Sequence, residues 1–596
     1  MLLLLYKKIG GKSIKKKYIS LLILAIISFN LVSCFKKDVT SNNSNNESTE
    51  ISSEILDEKN DEDSNLLTVE DADTYINLND NISIDGDGAV VSNNIVTINS
   101  AGIYCISGTL KDGQIIINCD DSEKVQILFN GVNISSSKNS PFYVLNADKT
   151  IITLIEGTEN ILSDASTYTF DYEDTQEPNA TLFSKDDLTI KGNGNLTVNG
   201  NFNNGIQSKD DLKITGGNIT VTSKNDGIKG KDSVIIKNGN ITINSDGDGI
   251  RSTNSTDTEK GYIAIYGGTI NITAGQDGIQ AETTSYISDG TINITSGGGS
   301  ENSSTKNNSN NWGIWGRNNT SSTSSNDDTS SAKGIKATTN ITIEGGNINI
   351  NSSDDSLHSN DSLDINGGTI EISSGDDGIH SDSTLNITNG NINISKSYEG
   401  IESSNIDISG GTISLKASDD GLNAGGGNDN SSINGRPSQN TISSTSSSTI
   451  NISNGYINID ADGDGIDSNG SVYMTGGTVI VNGPSASGNG ALDYDNEFKL
   501  TGGVLVAAAT SGMLQLPSDS STQPIVNLYL TSQTAGTLVN ISDENGNSIL
   551  SFAPAKDFSS VIISSPDIKD NKTYTASIGG TSNGTDANGL FIGDIW

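Results

Sequence analysis

Apolar side chains recur along most of this chain with a period of 22 residues. A small residue followed by Ile or Leu marks each repeat, at Ile206, Ile228, Ile250, Ile279, Ile335, Leu357, Ile379, Ile401, Leu422, Ile466 and Leu492. Within each repeat, two further pairs of apolar residues alternate with polar ones, which is typical of strands with one buried face. The pattern therefore predicts short strands stacked in successive coils.

Paired glycines separate the second and third strands in many of the repeats. Gly345-Gly346 and Gly367-Gly368 are examples, and glycine at such a corner allows a positive φ. Three short strands per repeat, Ile/Val dominance and the absence of a helical period predict a parallel β-helix. A leucine-rich repeat has a similar period, but its Leu pattern and helical return are absent.

The period sets the predicted domain boundaries. We expect an N-terminal β cap at 66–112, the β-helix at 113–510 and a C-terminal β-rich cap at 511–596. Spacings longer than one repeat indicate insertions at about 300–330 and 425–446. The whole fold class is all-β.

The composition agrees with this architecture and limits the classes of ligand that we expect the protein to bind. Only 32% of the residues are hydrophobic, which suffices for a β-helix because it buries a narrow ladder of Ile side chains. The formal net charge of −39 argues against nucleic acid and anionic membranes, which require Lys and Arg. Cations, neutral ligands and anionic ligands bridged by cations remain.

The N-terminus resembles a lipoprotein signal peptide at 1–33. Six lysines precede an apolar run, Leu21–Val32, that ends just before Cys34 and is too short to span a membrane. Cleavage would remove six positive and no negative charges, taking the net charge from −39 to −45. We expect lipidation of Cys34, a disordered tether at 34–65 and an exported protein anchored in the membrane at the bacterial cell surface.

Cys105 and Cys119 are the other two cysteines. An exported location permits a disulfide between them, and two unpaired buried thiols are the equally weighted alternative.

Acidic residues form a ladder across the repeats. Two residues before the first Ile or Leu of each coil stand Asn204, Asp226, Asp248, Asp277, Lys333, Asp355, Asp377, Glu399, Asp420 and Asp464. Stacking would place these side chains about 5 Å apart, where like charges repel by about 0.8 kcal/mol in water. We therefore expect the ladder either to face water or to bind cations.

Clusters of hard oxygen ligands favour Ca²⁺ over transition metals. The predicted metal ligands are Asp354, Asp355, Asp376, Asp377, Glu399, Asp419, Asp420, Asp462, Asp464, Asp467, Asp493 and Asp495. The alternative is that Asp-Gly serves only as turn chemistry, which explains isolated cases but not the doubled acids of the later coils.

Two other groups of residues are weaker candidates. His358 and His380 occupy equivalent places in adjacent coils, and we interpret them as surface histidines flanked by carboxylates. Trp312, Trp315 and Arg317 lie in the first insertion, where they either bind a sugar ring or anchor the loop.

Several segments resemble the extracellular carbohydrate-binding β-helix family, which is similar in architecture to the family 9 pectate lyases. The segments are Ile106–Ile115, Phe183–Leu188, Lys396–Glu402 and Gly490–Asp495. The resemblance covers roughly 85–520 and implies a right-handed coil, Ca²⁺ held by acidic turns, and binding of plant cell-wall polysaccharides such as cellulose and polygalacturonate.

The lyase motif is incomplete in this chain. The lyases combine an Asp-Asp-Gly-Phe-Asp type motif with a lysine base, but Asp376-Asp377-Gly378-Ile379 is followed by His380. Before Asp464-Gly465-Ile466-Asp467, Gly463 replaces the first Asp of the doublet. No lysine matches the base by motif.

Three interpretations follow. The first is a monomeric surface lipoprotein that binds polysaccharide through Ca²⁺ and has no catalytic residue. The second is a calcium-dependent polysaccharide lyase with Lys396 or Lys416 as base. The third is an adhesin or spacer whose insertions contact other proteins.

Overall fold

The computed structural model describes residues 66–79, 81–120, 122, 124–170, 177–303, 331–425, 448–582, 584 and 587–592. These residues form strands and two short 3-10 helices, Val69–Asp71 and Ser300–Asn302. No helix within these ranges has the length and apolar character needed to cross a membrane. The predicted signal peptide, Cys34, the tether and nearly all of both insertions lie outside the described residues.

Three parallel sheets run along the coils, and each coil contributes one strand to each sheet. The first sheet contains β4 (Ile95–Ile98), β6 (Gln114–Asn118), β8 (Phe142–Asn146), β11 (Ala180–Ser184), β14 (Asn204–Ser208), β17 (Ile228–Gly230), β20 (Ile250–Ser252), β23 (Ile279–Ala281), β26 (Ile335–Ala337), β29 (Leu357–Ser359), the starts of β32 (Ile379–Ile387) and β34 (Ile401–Ile408), β36 (Leu422–Ala424), β39 (Ile466–Ser468) and β42 (Leu492–Tyr494).

The second sheet follows directly after the first in each coil. It contains β1 (Thr74–Asn77), β5 (Gly102–Leu110), β7 (Lys124–Ser135), β9 (Lys149–Leu154), β12 (Asp187–Gly192), β15 (Asp211–Ile214), β18 (Ser233–Ile236), β21 (Tyr262–Ile265), β24 (Thr284–Ile287), β27 (Asn340–Ile343), β30 (Ser362–Ile365), the ends of β32 and β34, β37 (Thr449–Ile452), β40 (Ser471–Met474) and β43 (Glu497–Leu500).

The third sheet lies beyond the glycine corner. It contains the end of β7, β10 (Glu159–Ser163), β13 (Asn195–Asn199), β16 (Asn218–Ser223), β19 (Asn240–Ser245), β22 (Thr269–Ala274), β25 (Thr291–Ser296), β28 (Asn347–Ser352), β31 (Thr369–Ser374), β33 (Asn391–Lys396), β35 (Thr412–Ala417), β38 (Tyr456–Ala461), β41 (Thr478–Asn482) and β44 (Val504–Ala509).

The parallel β-helix predicted from the repeat is confirmed. Every marker residue of the repeat, from Ile206 to Leu492, pairs in register with the marker of the next coil. All eleven are at most 1% exposed, so they form one continuous apolar stack at the centre of the coils. A single cluster of buried side chains extends from Ile76 to Ile562.

The glycine corners have the predicted backbone conformation. Gly346 and Gly368 adopt φ of 90° and 89°. A Cβ on Gly368 would lie 3.0 Å from the carbonyl oxygen of Gly346 in the preceding coil. Glycine is therefore required at this corner both by the backbone angle and by the close approach of neighbouring coils.

Antiparallel strands flank the parallel stack. At the N-terminal end β2 (Ser83–Asp85) pairs with β1, and β3 (Ala89–Ser92) pairs with β4. At the other end β48 (Phe558–Ser564) pairs with both β44 and β45 (Val526–Gln533). A second antiparallel sheet contains β46 (Val539–Ser542), β47 (Ser548–Phe552), β49 (Thr575–Ile578) and β50 (Leu590–Ile592).

Cys105 and Cys119 are buried and form no disulfide with each other. Cys105 lies on β5 in the second sheet, whereas Cys119 follows β6 in the first. Of the two alternatives left open by the sequence, the structure therefore shows the unpaired one.

Ile250→Ala should destabilise the stack strongly. The side chain is fully buried between Ile228 and Ile279, and its truncation leaves a cavity that costs about 2–5 kcal/mol. The midpoint of thermal unfolding, followed by circular dichroism, should fall relative to wild type. Thr273→Ala, an exposed change on β22, is the control and should leave the midpoint nearly unchanged. Equal midpoints for both variants would contradict a continuous apolar stack.

Candidate cation-binding ladder

The acidic ladder predicted from the sequence, here called the ladder row, lies at the turn that precedes the first sheet. Its first eight members, Asn204 to Glu399, are at most 3% exposed, and Asp420 and Asp464 are half-buried. Of the two alternatives left open by the sequence, the one in which the row faces water is therefore wrong. The aspartate side chains of the row lie against the backbone of the next coil instead of projecting outwards.

Hydrogen bonds along the ladder row explain this burial. Oδ1 of Asp355 accepts the backbone N–H of Asp377 at 3.0 Å, and Oδ1 of Asp377 accepts that of Glu399 at 3.1 Å. The same bond joins Asp248 to Asp277 at 3.0 Å. One oxygen of each ladder aspartate thus satisfies a backbone N–H of the next turn, and the second oxygen remains for another partner.

A second row of side chains supplies those partners. These residues stand one position after each marker Ile or Leu, which for the first ten coils is three positions after the ladder residue, and they stack in register on the first sheet. We call them the partner row: Gln207, Lys229, Arg251, Gln280, Lys336, His358, His380, Glu402, Asn423, Asp467 and Asp493. The partner row changes from basic to acidic along the stack, with the two histidines at the change.

Basic residues compensate the ladder in the early coils. Lys229 Nζ lies 2.7 Å from Asp226 Oδ2, and an Arg251 guanidinium nitrogen lies 3.1 Å from Asp248 Oδ2. Burial, with Asp277 and Asp226 nearby, still raises the pKa of Asp248 to about 7. The charge of this part of the ladder is therefore only partly neutralised by its own partners.

Lys333 replaces an acid in the ladder row and acts as an internal cation. Its fully buried Nζ lies 3.0 Å from Asp354 Oδ1 and 2.7 Å from Asp355 Oδ2. Burial alone would raise the pKa of Asp355, but the Lys333 ammonium holds it well below the ordinary value. Asp354, Asp355 and Asp376 bring ligand atoms within 4.8 Å of one another, but the ammonium already binds two of them.

His358 and His380 are buried, so the interpretation as surface histidines is wrong. Their rings stack with centroids 4.8 Å apart and planes 12° from parallel. His358 Nδ1 lies 2.8 Å from Asp355 Oδ2. His380 Nδ1 lies 3.0 Å from Glu402 Oε2 and 3.5 Å from Asp377 Oδ2. The rings stack because β29 and β32 pair in register, which places one histidine directly above the other.

The two histidines differ in protonation. Burial and Lys333 lower the pKa of His358 to about 4, so this ring is neutral at pH 7. Burial would also lower the pKa of His380, but its bonds to Asp377, Asp382 and Glu402 raise it well above the ordinary value. A single positive ring stacked on a neutral one avoids the repulsion that two charged rings at this separation would have.

Beyond Glu402, every described member of the two rows except Asn423 is acidic. Burial, then Asp419 and Asp467, raise the pKa of Asp420 to about 8. Burial and neighbouring carboxylates likewise raise the pKa of Asp467 to about 7 and that of Asp464 to about 6. Within the described ranges, no lysine or arginine forms an ion pair with Asp420, Asp464, Asp467 or Asp493. We call these four residues the acidic end.

Asn423 lies in the partner row between Glu402 and Asp467. Its side chain is fully buried, and its Nδ2 donates to Glu399 Oε2 at 2.6 Å. Its Oδ1 has no hydrogen-bond partner in the described structure. A buried amide oxygen beside carboxylates is a ligand type that Ca²⁺ uses, and leaving it unsatisfied costs about 1–3 kcal/mol.

The other predicted site residues are placed as follows. Asp462 bonds to Lys556 Nζ at 2.7 Å, and Asp495 is exposed. Asp354 and Asp419 are half-buried beside the ladder row. Trp312, Trp315 and Arg317 lie outside the described residues. Asp354, Asp419, Asp462 and Asp495 therefore lie outside the two rows in which the other predicted metal ligands stack.

Neither candidate lysine base lies free beside a carboxylate cluster. Lys396 Nζ bonds to the carbonyl oxygen of Ser300 at 2.7 Å and to Glu301 at 2.8 Å. Lys416 is largely exposed and lies 3.8 Å from Asp460. Neither contact directs an unprotonated amine towards the acidic end.

A shallow cleft of about 780 Å³ lies on the outer face of the third sheet. A row of amide side chains crosses it, with Asn293 Nδ2 donating to Asn271 Oδ1 at 2.9 Å and Asn349 next in register. The loop that carries Ser300 borders the cleft, since Ser300 N–H donates to Asn351 Oδ1 at 2.7 Å. Amides and hydroxyls of this kind can bond to sugar hydroxyls.

The partner row is what sequence reasoning missed. Glu402 and Asn423 follow the marker residues Ile401 and Leu422 by one position, at the same place in the repeat as His358 and His380. Reading that position through all coils would have shown the change from basic to acidic side chains. The sequence would not have shown that this position is buried. Alternate residues of a strand point away from the core, and they are exposed only where no other part of the chain covers the outer face of the sheet.

Comparison with known proteins supports the resemblance inferred from the sequence. Residues 92–378 match a family model described as carbohydrate-binding domain-containing protein, which confirms the resemblance over that range. A protein of Acetivibrio thermocellus with the same description is 49% identical over 144 residues. This match covers 24% of this chain and half the length of that relative.

A solved structure is also similar to part of the chain. It is described as the polysaccharide lyase-like protein from C. thermocellum, in a gadolinium derivative. The identity is 44%, the TM-score is 0.37, and the match covers 38% of this chain and 92% of that one.

Stability without divalent cations should fall as the pH rises. The pKa of Asp420 is about 8 in the folded protein against an ordinary value of 3.8. The contribution of this group is therefore fully present below about pH 4 and is lost as the pH rises through 8. In excess chelator, the thermal midpoint of wild type should drop over this range more than that of Asp420→Asn.

The asparagine variant is conservative because its Oδ1 can still accept the N–H of Asp464, which now bonds to Asp420 at 2.6 Å. Asn204 already occupies the equivalent place in the first coil of the ladder and accepts the N–H of Asp226. Parallel pH profiles for wild type and the variant would contradict a buried, uncompensated Asp420.

Proposed function

We propose that this protein is a cell-surface, calcium-binding carbohydrate-binding protein that recognises plant cell-wall polysaccharide without cleaving it. The polysaccharide is cellulose or polygalacturonate. The observation that carries the proposal is the acidic end, where burial and neighbouring carboxylates raise the pKa of Asp420 and Asp467 and the Oδ1 of Asn423 has no hydrogen-bond partner. Within the described residues no lysine or arginine forms an ion pair with the four carboxylates.

The donor set of the acidic end fits Ca²⁺. Calcium takes six to eight oxygen ligands in flexible geometry. Asp420 and Asp467, which interact electrostatically, would supply carboxylate oxygens, and Asn423 an amide oxygen. The bound ion would neutralise charges that otherwise raise one another's pKa.

A calcium ion at the surface of so acidic a protein would also serve ligand binding. The formal net charge of −39 repels a polyanion such as polygalacturonate. A cation held by half-buried carboxylates can share its remaining coordination positions with uronate carboxylates. The family match over residues 92–378 supports carbohydrate as the ligand class.

The amide-lined cleft of the third sheet supports recognition of neutral sugar hydroxyls. Asn271, Asn293 and Asn349 stand at the same template position of three consecutive coils, so the groups repeat along the stack as sugar units repeat along a glycan. This surface contains Glu301 and Glu371 among its lining residues and needs no metal ion to present its amides.

Binding without cleavage is supported by the lysine contacts. A lyase requires a base near a metal-neutralised carboxylate. Lys396 is bonded to Ser300 and Glu301, and Lys416 is mainly solvated. The location at the cell surface rests on the lipoprotein-like segment ending at Cys34.

Polygalacturonate binding should require both Ca²⁺ and the acidic end. Purified protein is mixed with insoluble polygalacturonate in calcium or in excess chelator, and both bound protein and unsaturated product are measured. Wild type should bind at least tenfold more tightly with Ca²⁺ and release no product. The double variant Asp420→Asn, Asp467→Asn should lose the calcium-dependent part.

Asp361→Asn is the matched control, because Asp361 is an exposed acid outside both rows. It should bind like wild type. Unchanged binding in chelator would overturn the calcium mechanism, and product that increases with time would identify a lyase instead.

Cellulose binding should depend on the cleft and not on calcium. Asn293→Ala combined with Asn349→Ala removes two adjacent amides and should weaken sedimentation with cellulose several-fold in chelator. Thr220→Ala, on the same face outside the cleft, is the control. Equal loss for both variants, or no loss for either, would remove the cleft as the glycan surface.

A further inference from the structure

His380 is the buried side chain with the most anionic surroundings in the partner row. Its Nδ1 faces Glu402 Oε2 at 3.0 Å and Asp377 Oδ2 at 3.5 Å, and its Nε2 faces Asp382 Oδ1 at 3.0 Å. The ring itself is fully buried, and Asp377 and Glu402 are 2% exposed. Three carboxylates thus surround one imidazole.

The three atoms at the Nδ1 side are spaced as ligands of one small cation. His380 Nδ1, an oxygen of Asp377 and an oxygen of Glu402 all lie within 4.8 Å of one another. In a tetrahedral zinc site with bonds of about 2.0–2.1 Å, neighbouring ligand atoms are about 3.3 Å apart. The distances of 3.0 and 3.5 Å from Nδ1 fall on either side of that value.

The Nε2 side has the arrangement that orients a metal-binding histidine. Asp382 accepts a hydrogen bond from Nε2, which fixes the ring and leaves Nδ1 directed at Asp377 and Glu402. A carboxylate on the far nitrogen of a metal-binding histidine also makes the ring a stronger ligand.

We propose that Asp377, His380 and Glu402 form a buried site that supplies three ligands to a divalent transition-metal cation of the Zn²⁺ type. The cation takes the place of the proton on His380 Nδ1, and that proton is released to solvent. Asp382 is a positioning residue that keeps its hydrogen bond to Nε2–H.

The donor set distinguishes this site from the acidic end. An imidazole nitrogen with two carboxylate oxygens suits Zn²⁺ or Co²⁺, whereas Ca²⁺ prefers oxygen ligands alone. The neighbouring ring of His358 is less suitable, because the Asp355 oxygen that it faces also binds the Lys333 ammonium at 2.7 Å. A divalent ion there would meet a positive charge at close range.

Loading is expected during folding, because the ligands are buried. The purified chain is unfolded in denaturant with chelator, dialysed, and refolded with Co²⁺ or Zn²⁺ in the presence of excess Ca²⁺. Bound metal is counted by elemental analysis, and Co²⁺ coordination is followed by its visible absorption. Wild type should retain one equivalent that Ca²⁺ does not displace.

Four variants test the assignment. His380→Gln and Glu402→Gln should each lose this equivalent and the nitrogen-ligated cobalt spectrum. Asp382→Asn should weaken Co²⁺ affinity about 10–100-fold while keeping the spectrum, as expected for a residue acting through the ring. His358→Gln is the matched histidine control and should retain the metal.

The site is independent of the calcium proposal. Asp420→Asn should keep the Zn²⁺ equivalent, and His380→Gln should keep calcium-dependent polygalacturonate binding, so failure of either proposal is separately visible. Equal metal content in wild type, His380→Gln and Glu402→Gln would overturn the site. Displacement of Co²⁺ by Ca²⁺, or an absorption spectrum identical to that of aqueous Co²⁺, would overturn it as well.

Discussion

In-register stacking of the coils is the constraint on which the rest of this structure depends. Because each coil pairs residue by residue with the next, a side chain in one coil meets its template equivalent in the neighbour, as the stacked rings of His358 and His380 show at 4.8 Å. For Ile this repetition is favourable and builds a dry core. For Asp it places like charges side by side, and every acidic position then requires a local solution.

The ladder row shows two such solutions and one stretch that has neither. In the early coils, Lys229 and Arg251 lie three residues after their acids and bind the second carboxylate oxygen. In the middle, Lys333 enters the ladder itself and neutralises Asp355. In the described coils beyond Glu402 neither solution is present, and neighbouring acids raise the pKa of Asp420 and Asp467. The chemical character of the site therefore changes along the stack while its backbone geometry remains constant.

The features that follow from the 22-residue period could be predicted from the sequence. The register of Ile206 through Leu492 and the positive φ at Gly346 and Gly368 follow from spacing and from the special freedom of glycine. Burial of Asp355 and His358 could not be predicted in the same way. It depends on whether the adjacent turn supplies an N–H for Oδ1 and a cation for Oδ2, and these contacts join residues of different coils.

The two ends of the ladder row show that its side chains have two separate properties, the ability to accept a backbone N–H and a negative charge. Asn204 accepts the backbone N–H of Asp226 at 3.1 Å, and its Nδ2 donates to Gln207 in the partner row at 2.8 Å. An uncharged amide pair is therefore sufficient to accept the backbone N–H and to form the hydrogen bond between the two rows. Acceptance of an N–H cannot then explain why Asp420 and Asp467 are both carboxylates, since an amide would fill that role without repulsion. Their negative charge is the property that the proposed calcium site would use.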